Sequence, residues 1–91
     1  MQYFLAPSFE RSLKGLDEGR KERVKKAIRL AVAFFETGQR PQGLGLKPLR
    51  HPIWEIRAGL GDRIAFRKDK EVVIFLLVGS HDDIRRFLKH L

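Results

Sequence analysis

The chain has 91 residues and a formal net charge of +8, from 19 Lys and Arg against 11 Asp and Glu. We expect residues 1–91 to form a single domain, because two cores in so short a chain would each be too small to be stable. With no cysteine, disulfides and thiolate metal sites are excluded. No apolar run approaches the roughly 20 residues of a membrane-spanning helix, and the N-terminus lacks the regions of a signal peptide. The composition fits a cytoplasmic protein, and the charge favours a polyanion or an acidic protein as partner.

The predicted elements begin with a short strand over residues 2–6, which stops at Pro7. Ser8 is predicted to cap a short helix and Asp17 a longer one, whose apolar residues recur with helical spacing. Gly38 is placed to end the longer helix in a left-handed conformation. The polar face of this helix carries a basic run, which by itself is more often a solvated face than a binding surface: Arg20, Lys21, Arg23, Lys25, Lys26 and Arg29.

Residues 39–52 are rich in proline and carry no acidic residue, so we predict a loop there. A loop of this length in so small a domain suggests a function. Three strands follow over 53–58, 62–68 and 72–78, and Ser80 with Asp83 then resembles a capping box that opens a last helix. The order β-α-α-β-β-β-α predicts an α+β fold, with an antiparallel sheet, two N-terminal helices on one face and a short C-terminal helix.

Alternation along the hairpin places Arg57, Arg63 and Arg67 on the sheet face opposite the predicted core. Loop cations and histidines are expected to approach this face, as are residues that follow the last strand: Lys47, Arg50, His51, His81 and Phe87. Phosphodiester chemistry uses such a set, since cations stabilise charge on phosphate and an aromatic ring holds an unstacked base. Each residue also has an ordinary explanation: the arginines can pair with acids across the hairpin, His81 can be solvated, and Phe87 can belong to the core.

Three strings in the chain resemble the RelE/ParE toxin superfamily. They are residues 46–50 (LKPLR), 54–66 (WEIRAGLGDRIAF) and 72–79 (VVIFLLVG) running into His81. The middle string is the most specific, and the resemblance covers nearly the whole chain. It implies the toxin of a type II toxin–antitoxin system, a metal-independent endoribonuclease that cleaves mRNA on the ribosome. The implied partners are a cognate antitoxin, mRNA and the ribosome, with no small-molecule cofactor.

The resemblance also implies roles for individual residues. Arg63 matches the arginine that this family aims at the scissile phosphate, and His81 matches a general acid. His51 is assigned as the base, as in the YafQ-like branch, and Phe87 falls where the family keeps a tyrosine or phenylalanine near the cleaved bases. The expected RNA-binding residues are Lys47, Arg50, Arg57, Arg67, Lys25 and Lys26. Two other functions remain open, a ParE-like inhibitor of DNA gyrase and a non-catalytic RNA-binding module.

Overall fold

The computed structural model describes residues 1–91, and its architecture is the predicted α+β class. In chain order the elements are β1 (Gln2–Leu5), α1 (Pro7–Lys14), α2 (Glu18–Thr37), β2 (Lys47–Arg50), β3 (Ile53–Arg57), β4 (Arg63–Asp69), β5 (Val72–Gly79) and α3 (His81–Lys89). The five strands form one sheet in the order β1-β5-β4-β3-β2. No helix combines the length and the apolar character that crossing a membrane requires.

The sheet differs from the predicted one in two respects. The pairs β2–β3, β3–β4 and β4–β5 are antiparallel, but β1 pairs with β5 in parallel, so the sheet is mixed. No hairpin turn constrains the direction of β1, because two helices and three strands separate it from its partner. The part of the predicted loop that includes Lys47 is strand β2. It contains Pro48 and lies at the sheet edge, where a proline is tolerated.

The helix ends are set by local sequence, with one exception. Asp17 caps α2 by accepting a hydrogen bond from the Arg20 amide at 2.9 Å, and Gly38 ends it with a φ of 75°. Ser80 and Asp83 form the predicted capping box of α3. The prediction that Ser8 caps α1 is wrong: the N-cap is Ala6, and the Ser8 hydroxyl donates to the Leu76 carbonyl instead. A proline at the first helical position leaves one fewer N–H to satisfy.

Two apolar clusters cover the two faces of the sheet. The larger lies under α1 and α2 and contains Phe9, Val24, Phe66 and Phe75 among its buried residues. The smaller joins Ile84 of α3 to Ile53 and Ala65 on the opposite face. Arg57 and Arg63, at the end of the β3–β4 hairpin, do not belong to this smaller cluster, and a pocket opens there beside the first residue of α3.

Candidate active site

A pocket of about 380 Å³ lies at this open end of the sheet, and we call it the candidate pocket. Its polar lining comes from neighbouring strands and from the start of α3: Lys47, Glu55, Arg57, Arg63 and His81. Strand register explains the convergence, because Lys47 pairs with Glu55 and Arg57 pairs with Arg63, while Arg63 also lies opposite Gly79 at the end of β5. Residues opposite one another on adjacent strands project to the same face of a sheet.

An ion pair between Glu55 and Arg63 forms the floor of the candidate pocket. Arg63 Nη1 donates to Glu55 Oε2 at 2.7 Å. The Glu55 side chain is only 1% exposed, whereas that of Arg63 is 26% exposed. The other carboxylate oxygen, Oε1, is buried without a hydrogen-bond partner, and it is the only buried side-chain polar atom in that state. A buried acceptor without a donor is costly, so a bound group that reached this oxygen with a hydrogen bond would relieve that cost.

Cations predominate around this ion pair. Lys47 and Arg57 are exposed and make no ion pair, so their charges are available to an anion in the candidate pocket. His81 is exposed at the first position of α3 and is the only histidine in the lining. Histidine is the side chain best suited to gain and lose a proton near neutral pH. Phosphate binding coupled to proton transfer is the chemistry that these groups can perform together.

Six of the predicted site residues lie outside the candidate pocket, two of them, Lys25 and Lys26, on α2. His51 is in the turn between β2 and β3, and Phe87 faces a separate groove beside Ser12 of α1. Arg50 donates through Nη2 to the Leu88 carbonyl at 3.1 Å, near the end of α3. Arg67 pairs with Asp69 at 3.0 Å. The structure therefore brings together Arg63 and His81, with Lys47 and Arg57, and leaves the other six predicted residues elsewhere.

The basic face of α2 divides in a way that the sequence does not reveal. Lys25 pairs with Glu22 at 3.4 Å, whereas its neighbour Lys26 makes no ion pair and lines a groove with Arg23 and Arg57. Glu55 lines the candidate pocket but is not among the site residues predicted from the sequence. Its alternation with Arg57 in the hairpin string was the available signal, because it places an acid on the same face as the arginines.

A second ion pair holds the hairpin turn against α2. Arg20 donates through Nε and Nη2 to the two oxygens of Asp62, at 2.9 and 2.8 Å. These hydrogen bonds, against an opposing effect of burial, hold the pKa of Asp62 below its ordinary value. At the start of α3, hydrogen bonds from Ser80 likewise lower the pKa of Asp83. Both contacts position the elements from which the candidate pocket is built.

No group of three or more His, Asp or Glu side chains is arranged to hold a metal ion.

No family model matches the chain, and no curated protein matches its sequence significantly. Solved structures do match its fold. A chain of the RelB–RelE antitoxin–toxin complex from Methanococcus jannaschii aligns with a TM-score of 0.70 at 21% identity, over 92% of this chain and 96% of that one.

Two further solved toxins align over most of their length. YafQ from E. coli gives a TM-score of 0.74 at 13% identity, over 90% of this chain and 94% of that one. The YoeB/ParE toxin from Agrobacterium tumefaciens gives a TM-score of 0.66 at 19% identity, over 89% of this chain and 99% of that one. These likenesses confirm the resemblance found in the sequence at the level of fold. The chain therefore has the RelE-like fold of toxins from toxin–antitoxin systems.

Proposed function

We propose that this chain is the toxin of a type II toxin–antitoxin system and an endoribonuclease that cleaves mRNA on the ribosome. The observation that carries the proposal is the candidate pocket, where Lys47, Arg57 and Arg63 surround a single histidine, His81. The fold shared with RelE, YafQ and YoeB/ParE toxins supports the toxin role. The three cations supply the positive charge that stabilises a phosphorane-like transition state, so the mechanism has no step that requires a metal ion.

The proposed reaction is attack by an RNA 2′-hydroxyl on the adjacent phosphorus. The 2′-oxygen loses its proton to a base as the new P–O bond forms, and the bond to the 5′-oxygen breaks. His81 in its protonated form donates its proton to that leaving oxygen. The products are a 2′,3′-cyclic phosphate and a 5′-hydroxyl end. Arg63 and Lys47 stabilise the charge that grows on the non-bridging oxygens.

Glu55 is our candidate for the base in place of His51. Glu55 lines the candidate pocket, and its buried Oε1 has no hydrogen-bond partner, so a small shift of the Arg63 or Glu55 side chain would let it accept the proton; His51 is absent from the lining. A base has to lie within hydrogen-bond reach of the proton that it removes. Its ion pair with Arg63 gives Glu55 a second role, since it fixes the guanidinium group that faces the phosphate.

Purified protein incubated with translating ribosomes tests the proposal, with mRNA 5′ ends mapped and the end chemistry determined. We expect new 5′-hydroxyl ends with wild type and a loss of about 10²–10³ in rate with His81→Gln. His90→Gln is the matched control, because His90 is also exposed, directly after the last residue of α3, but lies outside the candidate pocket. Comparing the cleavage rates of His51→Gln and Glu55→Gln identifies the base, because only the variant that lacks the base should lose cleavage. RNA binding without new 5′-hydroxyl ends would favour a non-catalytic RNA-binding module. Inhibition of DNA supercoiling by gyrase would favour a ParE-like gyrase inhibitor.

An antitoxin is the proposed protein partner. RelE-like toxins have been solved in complex with RelB, and YafQ in complex with DinJ. A net charge of +8 favours an acidic, partly disordered partner. The helix α3 has only nine residues, and we expect the antitoxin to displace it or to cover the candidate pocket. Hydrogen exchange over residues 80–91 tests this expectation, and protection that is high in the free protein and unaltered in the complex would contradict it.

A further inference from the structure

A basic groove adjoins the candidate pocket on its α2 side. Its volume is about 430 Å³, and its cationic lining consists of Arg23, Lys26 and Arg57. The remaining lining residues are small, apolar or neutral, and none is acidic: Ala27, Leu30, Gln42, Gly43, Ala58 and Gly59. Arg57 also lines the candidate pocket, so the two depressions share a side chain and form one continuous positive surface.

The three cations of the basic groove differ from their neighbours because none of them makes an ion pair. On the same helix, Lys21 pairs with Glu18 and Lys25 pairs with Glu22. The charge of Arg23 helps to lower the pKa of Asp62, but Arg23 forms no ion pair with it, and Asp62 already accepts two hydrogen bonds from Arg20. The groove therefore collects cations, two of them from α2, that no acidic side chain pairs with.

Two glycines hold the arginines of the basic groove in place. A Cβ atom at Gly59 would lie 2.9 Å from Arg23 Nε, and one at Gly45 would lie 2.8 Å from Arg57 Cγ. Both glycines have positive φ, 97° and 65°, a conformation that other residues rarely adopt. Each arginine stem thus rests on bare backbone, which restricts its directions and leaves less conformational freedom to be lost on binding.

We infer that the basic groove binds the sugar–phosphate backbone of the RNA strand that enters or leaves the candidate pocket. The inference rests on the proposed function, since it extends the substrate beyond the scissile phosphate. A strand whose phosphate lies at Arg63, beside Glu55, can continue past Arg57 to Arg23 and Lys26, and the basic groove adds no acidic side chain to this path. Contacts of this kind go to phosphates, so they position the strand and do not read its sequence.

An acidic protein segment fits the basic groove less well than RNA does. Stable protein interfaces depend on aromatic and aliphatic anchors in well-packed pockets, and this lining offers only Leu30 and two alanines. Such anchors lie in a different groove, lined by Phe34, Phe35, Leu46, Trp54 and Phe66. A phosphodiester strand needs cations with free charge, and the basic groove supplies these.

Binding of a single-stranded 2′-O-methyl RNA 12-mer, measured by fluorescence anisotropy over a range of salt, tests the inference. This probe cannot be cleaved, because it lacks the attacking hydroxyl. We expect Lys26→Gln and Arg23→Gln each to weaken binding roughly three- to tenfold and to reduce the log–log salt slope by about 0.7. Lys70→Gln is the control that removes the same amount of charge, because Lys70 lies in the β4–β5 turn, at the end of β4 opposite to Arg63. Lys25→Gln should behave like Lys70→Gln.

A 2′-O-methyl trinucleotide distinguishes binding in the basic groove from binding in the candidate pocket. We expect Arg63→Lys to weaken binding of both probes and Lys26→Gln to weaken only the 12-mer. Equal effects of Lys25→Gln and Lys26→Gln on the 12-mer, or no 12-mer binding at low salt, would overturn the inference. So would a Lys26→Gln variant that loses affinity for poly-glutamate but not for RNA. Absence of cleavage by wild type would refute the proposed nuclease, whereas the binding result for the groove would stand.

Discussion

Replacing Arg63 should destabilise the fold as well as remove a catalytic charge. In the wild type, Glu55 is 1% exposed and its only hydrogen-bond donor is Arg63. Arg63→Ala leaves both oxygens of this buried carboxylate without a partner. Removing one member of a buried ion pair is strongly destabilising because the remaining charge is uncompensated.

The cost follows from the exposure of the two side chains. Breaking a fully buried pair costs about 3–5 kcal/mol, and because the 26% exposure of Arg63 lets water reach the vacated space, we expect about 2–3 kcal/mol. In a domain of this size that loss lowers Tm by about 10–20 °C. A domain of 91 residues has a free energy of unfolding of roughly 5–14 kcal/mol, so the variant should remain folded at room temperature.

Replacing Glu55 should destabilise the fold less than replacing Arg63 does. Glu55→Gln removes the buried charge, keeps an oxygen that can accept from Arg63, and leaves a partly solvated guanidinium, so we expect a loss of about 1 kcal/mol. In the double variant Arg63→Ala with Glu55→Gln, no charge is buried. It should regain about 1–2 kcal/mol relative to Arg63→Ala alone.

Urea and thermal unfolding of the four proteins measure this order, and cleavage assays on the same samples separate stability from catalysis. We expect the double variant to recover stability but not cleavage. A Tm of Arg63→Ala equal to that of wild type, or a greater loss in Glu55→Gln, would refute the reasoning about the buried carboxylate. Recovery of cleavage in the double variant would remove Arg63 from the mechanism.

Three other predictions concern stability and titration. The lowered pKa of Asp62 means that its pair with Arg20 stabilises the fold fully above the ordinary value of 3.8 and is lost as pH falls through the lowered pKa. Asp62→Asn should therefore flatten the acid side of a stability–pH curve measured by urea unfolding. Ser80→Ala removes the cap of α3 and should cost about 1 kcal/mol in thermal unfolding, whereas Ser80→Gly should cost only a few tenths. Burial and the hydrogen bond to Glu36 raise the pKa of Tyr3, the only tyrosine, to about 12, and an ultraviolet titration with a midpoint near 10 would contradict this.

The sequence by itself determined the features that act over a few residues. Asp17, Gly38 and the Ser80–Asp83 pair set helix ends as predicted, because each bonds to backbone within four positions of itself or adopts a special φ. The alternation in β3 and β4 likewise placed Arg57 and Arg63 on one face, since the pleat of a strand enforces a period of two. The order of the predicted elements indicated the fold class and the hairpin string the RelE-like resemblance, and the structural neighbours confirm both at the level of fold.

Only the tertiary structure decided which charges are free and which are paired. Arg20 and its partner Asp62 are 42 positions apart, so nothing local distinguishes Arg20 from the unpaired Arg23. The edge strand β2 depends on pairing with β3, and its length of four residues with a proline gives too weak a local signal. His51 and Phe87 match family positions in the sequence, yet the turn and the helix face that carry them lie outside the candidate pocket. Convergence on a site depends on distances in space, which are fixed only when the helices pack on the sheet.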